Sequence, residues 1–325
     1  KEGACVLHVI SETPGAYADC DAAKISAATL AWARASKEVQ KYTMDNICAW
    51  SIVAVPNARW AAKVFADAGS EAVARLWQAV FDCVYVDADH DPVQVWAKRN
   101  AMFAKRVERL NAHRFATLHF TSTLGTDLRV GLPQGHRWEG GSEKTQDGRW
   151  FNANLPTEEV FTMPHRLKTE GIVYASKPLD HHGQLIEDFF LEFKEGKVCG
   201  YDARKGKAAL RSLIEFDEGS SYLGEVALVP QDSAIARCGL LFYNTLFDEN
   251  ASCHLALGDS YPSCLEGGLT LREEERKKQG ANQSMTHVDF MFGTADLCVK
   301  GIDEEGRETL IMEDGLFTEP FDCCS

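Results

Sequence analysis

At Phe115 the period of the hydrophobic pattern changes, and that change constrains the fold more than any other feature of the chain. Ahead of it, short apolar runs alternate with amphipathic stretches of helical spacing. Cys5 to Ile10 predicts a strand that begins almost at the first residue, as though the domain opened mid-sheet and were truncated at its N-terminus. Ala23 to Tyr42, alanine-rich with Ile25, Leu30, Trp32 and Val39 as apolar anchors, predicts a helix. Ser51 to Val55 predicts a second strand, ended by Pro56. Val73, Leu76, Trp77, Val80 and Phe81 then recur at threes and fours along one helical face. A further helix starts at Asp91-Pro92, an N-cap followed by proline at the first helical position, and its stripe runs through Val93, Trp96, Phe103, Val107 and Leu110.

From Phe115 onward apolar and polar residues alternate, as at Ala116, Leu118 and Phe120, and turn signals recur at Leu124-Gly125-Thr126-Asp127 and Trp138-Glu139-Gly140-Gly141. Leu185 to Asp202 predicts a hairpin turning at Lys194-Glu195-Gly196-Lys197, and Lys207 to Phe216 a helix. At 325 residues the chain exceeds what one hydrophobic core usually serves. The expectation is an α/β domain over residues 1–114, followed over 115–325 by an α+β domain with mainly antiparallel sheet.

The formal net charge of -14 repels a phosphate backbone, and no basic stripe offsets it, which argues against nucleic acid as a partner. No apolar run approaches the roughly 20 residues that span a bilayer, and no secretory leader pattern opens the chain. These features predict a cytoplasmic protein without a membrane partner. The eleven cysteines are odd in number and contain no C-x-x-C pair, so neither a disulfide framework nor a zinc ribbon is expected. Most are expected to be small buried hydrophobes, with Cys323 and Cys324 at the terminus more exposed.

Candidate chemistry concentrates in the second half. Glu225 sits inside the apolar run Leu223 to Pro230, where an ionised carboxylate is costly unless something pairs with it. Asn244 to Tyr261 carries Glu249 and His254, and Asn282 to Gly293 places His287 and Asp289 two residues apart, on one face of a strand. Glu159 stands beside a further turn signal. Taken singly, each of these acids is most simply a solvated or ion-paired side chain. Carboxylates brought to 4 Å repel by about 4 kcal/mol per pair at an effective dielectric near 20, so a converging cluster requires protons or a cation. Imidazole with carboxylate suits zinc, cobalt or manganese, whereas purely carboxylate sites favour magnesium or calcium. The single-zinc protease, α/β-hydrolase and P-loop motifs are all absent. Cys253 beside His254 points the opposite way on a strand and is expected to be structural.

Four blocks in order resemble the signature of a known family: T-E-E-V-F-T-M-P from Thr157, L-G-E-V-A-L-V-P from Leu223, F-Y-N-T-L-F-D-E-N-A-S-C-H-L-A-L-G from Phe242, and N-Q-S-M-T-H-V-D-F-M-F-G from Asn282. Together with Gly125 to Leu128 and Trp60, they make the chain similar to the thermophilic-type metallo-aminopeptidases, the aminopeptidase S and aminopeptidase T family. Family members carry an N-terminal segment beyond the similarity, which agrees with the abrupt start. The resemblance implies a homodimer with two divalent ions (zinc, cobalt, manganese or magnesium) in the C-terminal domain. By motif position the ligands are Glu159, Glu225, Glu249, His254, His287 and Asp289, with Glu225 and Tyr261 at the reaction centre. Paired ions lower the pKa of a shared water and polarise a scissile carbonyl, a carboxylate moves the proton, and Tyr261 donates to the oxyanion.

The leading expectation is an aminopeptidase acting on peptides with a free N-terminus. Glycoside hydrolysis by two of Glu159, Glu225 and Glu249 is the competing enzyme reading, but it needs no histidines. A metal-stabilised binding module without turnover is the non-enzymatic alternative.

Overall fold

The alternating run after Phe115 folds into strands Thr117–Thr121 and Asp127–Gly131, whose inward residues Leu118, Phe120, Leu128 and Val130 are fully buried. In the computed structural model, which describes residues 3–323, these strands lie at the centre of a nine-stranded antiparallel sheet. Thr169–Tyr174 and the hairpin Gln184–Lys194 with Lys197–Lys205 extend it on one side, and Cys298–Ile302 and Glu308–Glu313 on the other. Helix Lys207–Ile214 follows the hairpin, as the spacing predicts.

The first part of the chain alternates as expected. Strand Val6–Ile10, helix Ala22–Met44 and strand Trp50–Ala54 form a parallel crossover unit. Its third strand, Asn154–Leu155, arrives from beyond Phe115 and also pairs in parallel. Helix Ala72–Cys83 buries Leu76 and Val80, which with Trp60 pack on Ile235, Phe242 and Phe247. Helix Pro92–His113 begins where Asp91 accepts the Val93 amide at 3.0 Å, and it sends Phe103 and Leu110 into the core of the large antiparallel sheet. The fold is mixed α/β with mainly antiparallel sheet.

Several side chains depart from the periodicity. Val93, Trp32 and Val39, all predicted as apolar anchors of helical stripes, are exposed (76%, 64% and 72%). Phe81 is also partly exposed, its ring resting on Trp77. Of the described cysteines only Cys83, Cys253, Cys264 and Cys323 are buried, so most are not core residues. Cys323 corrects the expectation of an exposed terminus: the segment Phe321–Cys323 is tied down by Arg106, whose Nε donates to the Phe321 carbonyl at 3.0 Å, and by Arg109. Cys324 lies outside the described residues.

A five-stranded antiparallel sheet positions the candidate site, in the order His287–Met291, His254–Gly258, Leu223–Leu228, Val160–Thr162, Glu139–Gly140. One face sends Val226, Leu228, Leu255, Leu257 and Phe290 into the main core. The other face carries the polar groups of the site beside a small apolar cluster that includes Phe161 and Ala227. Gly258 allows the edge strand to close in, since it holds φ +115° and a Cβ there would lie 2.0 Å from the Thr286 carbonyl oxygen.

Candidate metal centre

Strand register brings the predicted ligands together. Glu225 pairs across the sheet with Ala256, and Ala256 pairs with Asp289, so the two carboxylates stand in one row with only a methyl group between them. His254 lies two residues from Ala256, and His287 two from Asp289, placing both imidazoles on that face. Glu159 enters just before strand Val160–Thr162.

Five of the six residues form two adjoining groups, Glu159–Glu225–His254 and Glu225–His287–Asp289. Within each group one donor atom per residue lies within 4.8 Å of the others. Glu225 belongs to both, with Oε1 3.6 Å from His254 Nε2 and Oε2 3.4 Å from His287 Nε2. Glu159 Oε2 lies 2.8 Å from His254 Nε2, and Asp289 Oδ1 3.5 Å from His287 Nε2. The far nitrogens are held by backbone: His254 Nδ1 is 3.3 Å from the Ser252 carbonyl and His287 Nδ1 2.8 Å from that of Asp259. A carbonyl only accepts, so each Nδ1 carries a proton and donates, which leaves Nε2 facing the carboxylates.

The donor set fits a cation. Glu159 Oε2 and Asp289 Oδ1 are buried acceptors without a hydrogen bond of good geometry, despite the nearby imidazoles. With a proton on Nδ1, a neutral His254 offers Glu159 a lone pair against a lone pair, an arrangement that an extra proton or a metal ion relieves. The same need shows in the acid–base properties. Burial pushes His254 down, but the adjoining Glu159 carboxylate outweighs it and holds the imidazole well above its usual range. For His287 burial is again outweighed, here by Asp289. Burial raises Glu159 and Glu249, the latter further through the charges of Asp289 and Glu159. Asp289 moves down, because His287 overcomes the effect of burial.

Glu249 stands outside both close groups, though it is buried and lines the same cavity of about 710 Å³. Asn250 Nδ2 lies 3.4 Å from its Oε1. Tyr261 lines the cavity too, edge-on to His287 at 5.1 Å. Burial and then the Glu225 charge hold its hydroxyl well above the usual phenol range, so it remains a proton donor at neutral pH. Cys253 is buried on the opposite face, with Sγ 3.8 Å from the Met312 sulfur, as a packed core thiol.

Sequence reasoning missed the groups that hold the ligands in place. Ser252 and Asp259 act through backbone carbonyls, which carry no residue signature. Asn250 accepts the Glu158 amide at 2.6 Å, tying the Glu159 and Glu249 segments together. Asn282 donates to the Gly219 and Gly258 carbonyls at 2.8 and 2.6 Å and locks the turn before Tyr261. Buried Glu158 pairs with the half-buried Arg99 and Tyr85 behind Glu159. The juxtaposed glutamates Glu158-Glu159 were the one available hint.

Comparison with known proteins identifies the family. The model of the thermophilic metalloprotease (M29) family matches residues 1–317. Aminopeptidase AmpS of Bacillus subtilis is 42% identical over 316 residues, covering 97% of this chain and 77% of that protein. Aminopeptidase T of Thermus thermophilus is 44% identical, covering 97% of this chain and 76% of that protein. A solved structure titled wild-type AmpT from Thermus thermophilus superposes with a TM-score of 0.88 at 43% identity, over 98% of this chain and 77% of that one. The chain therefore belongs to the thermophilic metalloprotease (M29) family and is a metallo-aminopeptidase, a hydrolase whose divalent cation the buried carboxylate–imidazole cluster is suited to hold.

Proposed function

We propose that the enzyme removes N-terminal residues from peptides with two divalent ions, one held by Glu159, Glu225 and His254 and the other by Glu225, His287 and Asp289, with Glu249 as an additional ligand. The observation that carries this reading is Glu225, whose two oxygens face two different imidazoles. Such ions, when bound, activate water and polarise the scissile carbonyl.

The chain's own groups supply the rest. Glu225 spans the two halves and fixes their spacing. Glu249 lies outside both close groups, and burial and the neighbouring negative charges favour its protonated form; bound cations would offset those charges and leave a carboxylate able to accept a proton and return it during turnover. Tyr261 donates its hydroxyl hydrogen to the developing oxyanion. The carboxylates of the cavity receive the substrate's α-ammonium, which makes the enzyme an exopeptidase. No helix among the described residues is long and apolar enough to cross a membrane. The reading also carries a homodimer, on family grounds, and a cytoplasmic location, which suits the free thiols of the described cysteines. The ligands fall in the second of two domains meeting near residue 114.

Metal analysis joined to activity tests this. Two ions per chain are expected. Glu225→Gln is expected to abolish turnover and lower the stoichiometry. N-acetylated peptides are expected to be cleaved at least about tenfold more slowly than free ones, the loss of one charge-assisted contact. Full activity after verified chelation, or equal rates with and without the acetyl group, overturns the proposal.

A further inference from the structure

Asn244 lines the cavity and is 97% buried by its 3% exposure, yet its Oδ1 has no hydrogen-bond partner. It occupies the N-cap position of the short helix Thr245–Asp248, where an asparagine ordinarily accepts an amide hydrogen, and its side chain caps nothing. Asp248 satisfies the local amides instead, accepting from Phe242 at 2.8 Å and from Asn244 at 3.1 Å. A buried amide oxygen without a partner is destabilising, so folding alone does not account for this residue.

The segment is also held ready. Tyr243 adopts φ 52°, a left-handed conformation that a tyrosine rarely takes, and it lines the cavity beside Asn244. Trp60 Nε1 donates to the Phe242 carbonyl at 2.6 Å, and Lys63 covers the Tyr243 ring at 4.6 Å. Backbone strain retained by several anchors marks a position selected for what it presents.

We propose that Asn244 binds the first peptide unit downstream of the scissile bond, its Oδ1 accepting that unit's N–H. A carboxamide oxygen accepts a peptide N–H as a backbone carbonyl does. The inference rests on the aminopeptidase reading above, in which the scissile carbonyl and the α-ammonium already have partners among the ligand cluster and its carboxylates. The nearest peptide unit still in need of one is that joining the second and third residues. The enzyme accordingly favours tripeptides and longer substrates.

The test compares leucyl-glycyl-glycine with leucyl-glycyl-sarcosine, which differs by a methyl group in place of that N–H. Holoenzyme should show a KM roughly tenfold higher for the sarcosine peptide, the loss of one buried hydrogen bond. Asn244→Ala and Asn244→Leu should discriminate between the two peptides by less than about twofold, since the acceptor is gone. The apoprotein melting temperature of Asn244→Leu should equal or exceed that of the parent, because an unpaired buried oxygen has been removed; a merely structural asparagine would lower it. Equal KM values in the parent enzyme, undiminished discrimination in the variants, or a melting temperature lower by more than about 3 °C overturns the assignment. Metal-independent release of leucine by the parent would instead sink the underlying reading, whatever the peptide ratio.

Discussion

Glu159 Oε2 stands 2.8 Å from His254 Nε2, with both side chains buried and no hydrogen bond of good geometry between them. The contact is favourable only while a positive charge lies between carboxylate and imidazole. In the cation-free protein that charge is a proton, which is why His254 is held well above its usual range.

Metal binding must therefore displace protons. His254 and His287 are both raised well above the usual imidazole range by the carboxylates beside them, so a metal ion competes with protons for the same nitrogens. Affinity for zinc should rise with pH across neutrality, by about tenfold per pH unit for each proton displaced. Titration calorimetry in buffers of different ionisation enthalpy counts those protons. Affinity that stays level between about pH 6 and 8 would contradict the arrangement.

Tyr261→Phe removes a hydroxyl proposed to act on the oxyanion while leaving the ring packed on His287 and Phe161. A lost oxyanion donor costs roughly 10²-fold in kcat, with KM little changed. Steady-state kinetics on a free peptide decides it; a change confined to KM would assign Tyr261 to substrate binding alone.

Arg99 neutralises Glu158 behind the ligand strand, with side-chain exposures of 17% and 4%. Tyr85 donates to the same carboxylate at 2.6 Å, and the Arg99 guanidinium lies 4.0 Å from the Tyr85 ring. Breaking a buried pair by removing one partner costs about 3–5 kcal/mol, so Arg99→Met should destabilise by that order. Urea unfolding of the apoprotein measures it, and a loss near zero would mean that water reaches Glu158.

Asp248 is pushed up to about 7 by burial, although three backbone amides favour its charged form. Against an unfolded value of about 3.9, the folded state binds this proton more tightly. The group's stabilising effect is complete below the unfolded pKa and is lost as pH rises through about 7. Asp248→Asn removes that dependence. With chelator present, the urea midpoint of the variant relative to the parent should shift in the variant's favour between about pH 5 and 8. A difference independent of pH would place the carboxyl in water.

Much of the architecture follows from local pattern. The alternation after Phe115 required strands with one buried face, and Leu118 and Phe120 are buried as that period demands. Asp91-Pro92 set a helix start that its side chain confirms by capping Val93. His287 and Asp289, two apart on a strand, had to share a face. The separation of Cys253 from His254 across the sheet was equally forced by the period of two.

Tertiary structure decided what local pattern carries no information about. Glu225, Ala256 and Asp289 meet through inter-strand register, a relation among segments 31 and 33 residues apart that no single window contains. The orientation of both imidazoles depends on the carbonyls of Ser252 and Asp259, a backbone group every residue possesses. Asn154–Leu155 joins the parallel sheet although it follows the change of period, because a two-residue strand is too short to show one. Cys323 and Val93 went against expectation for the same reason. Burial is a property of what packs above a side chain, and for a chain end or a first helical turn that neighbour comes from elsewhere in the fold.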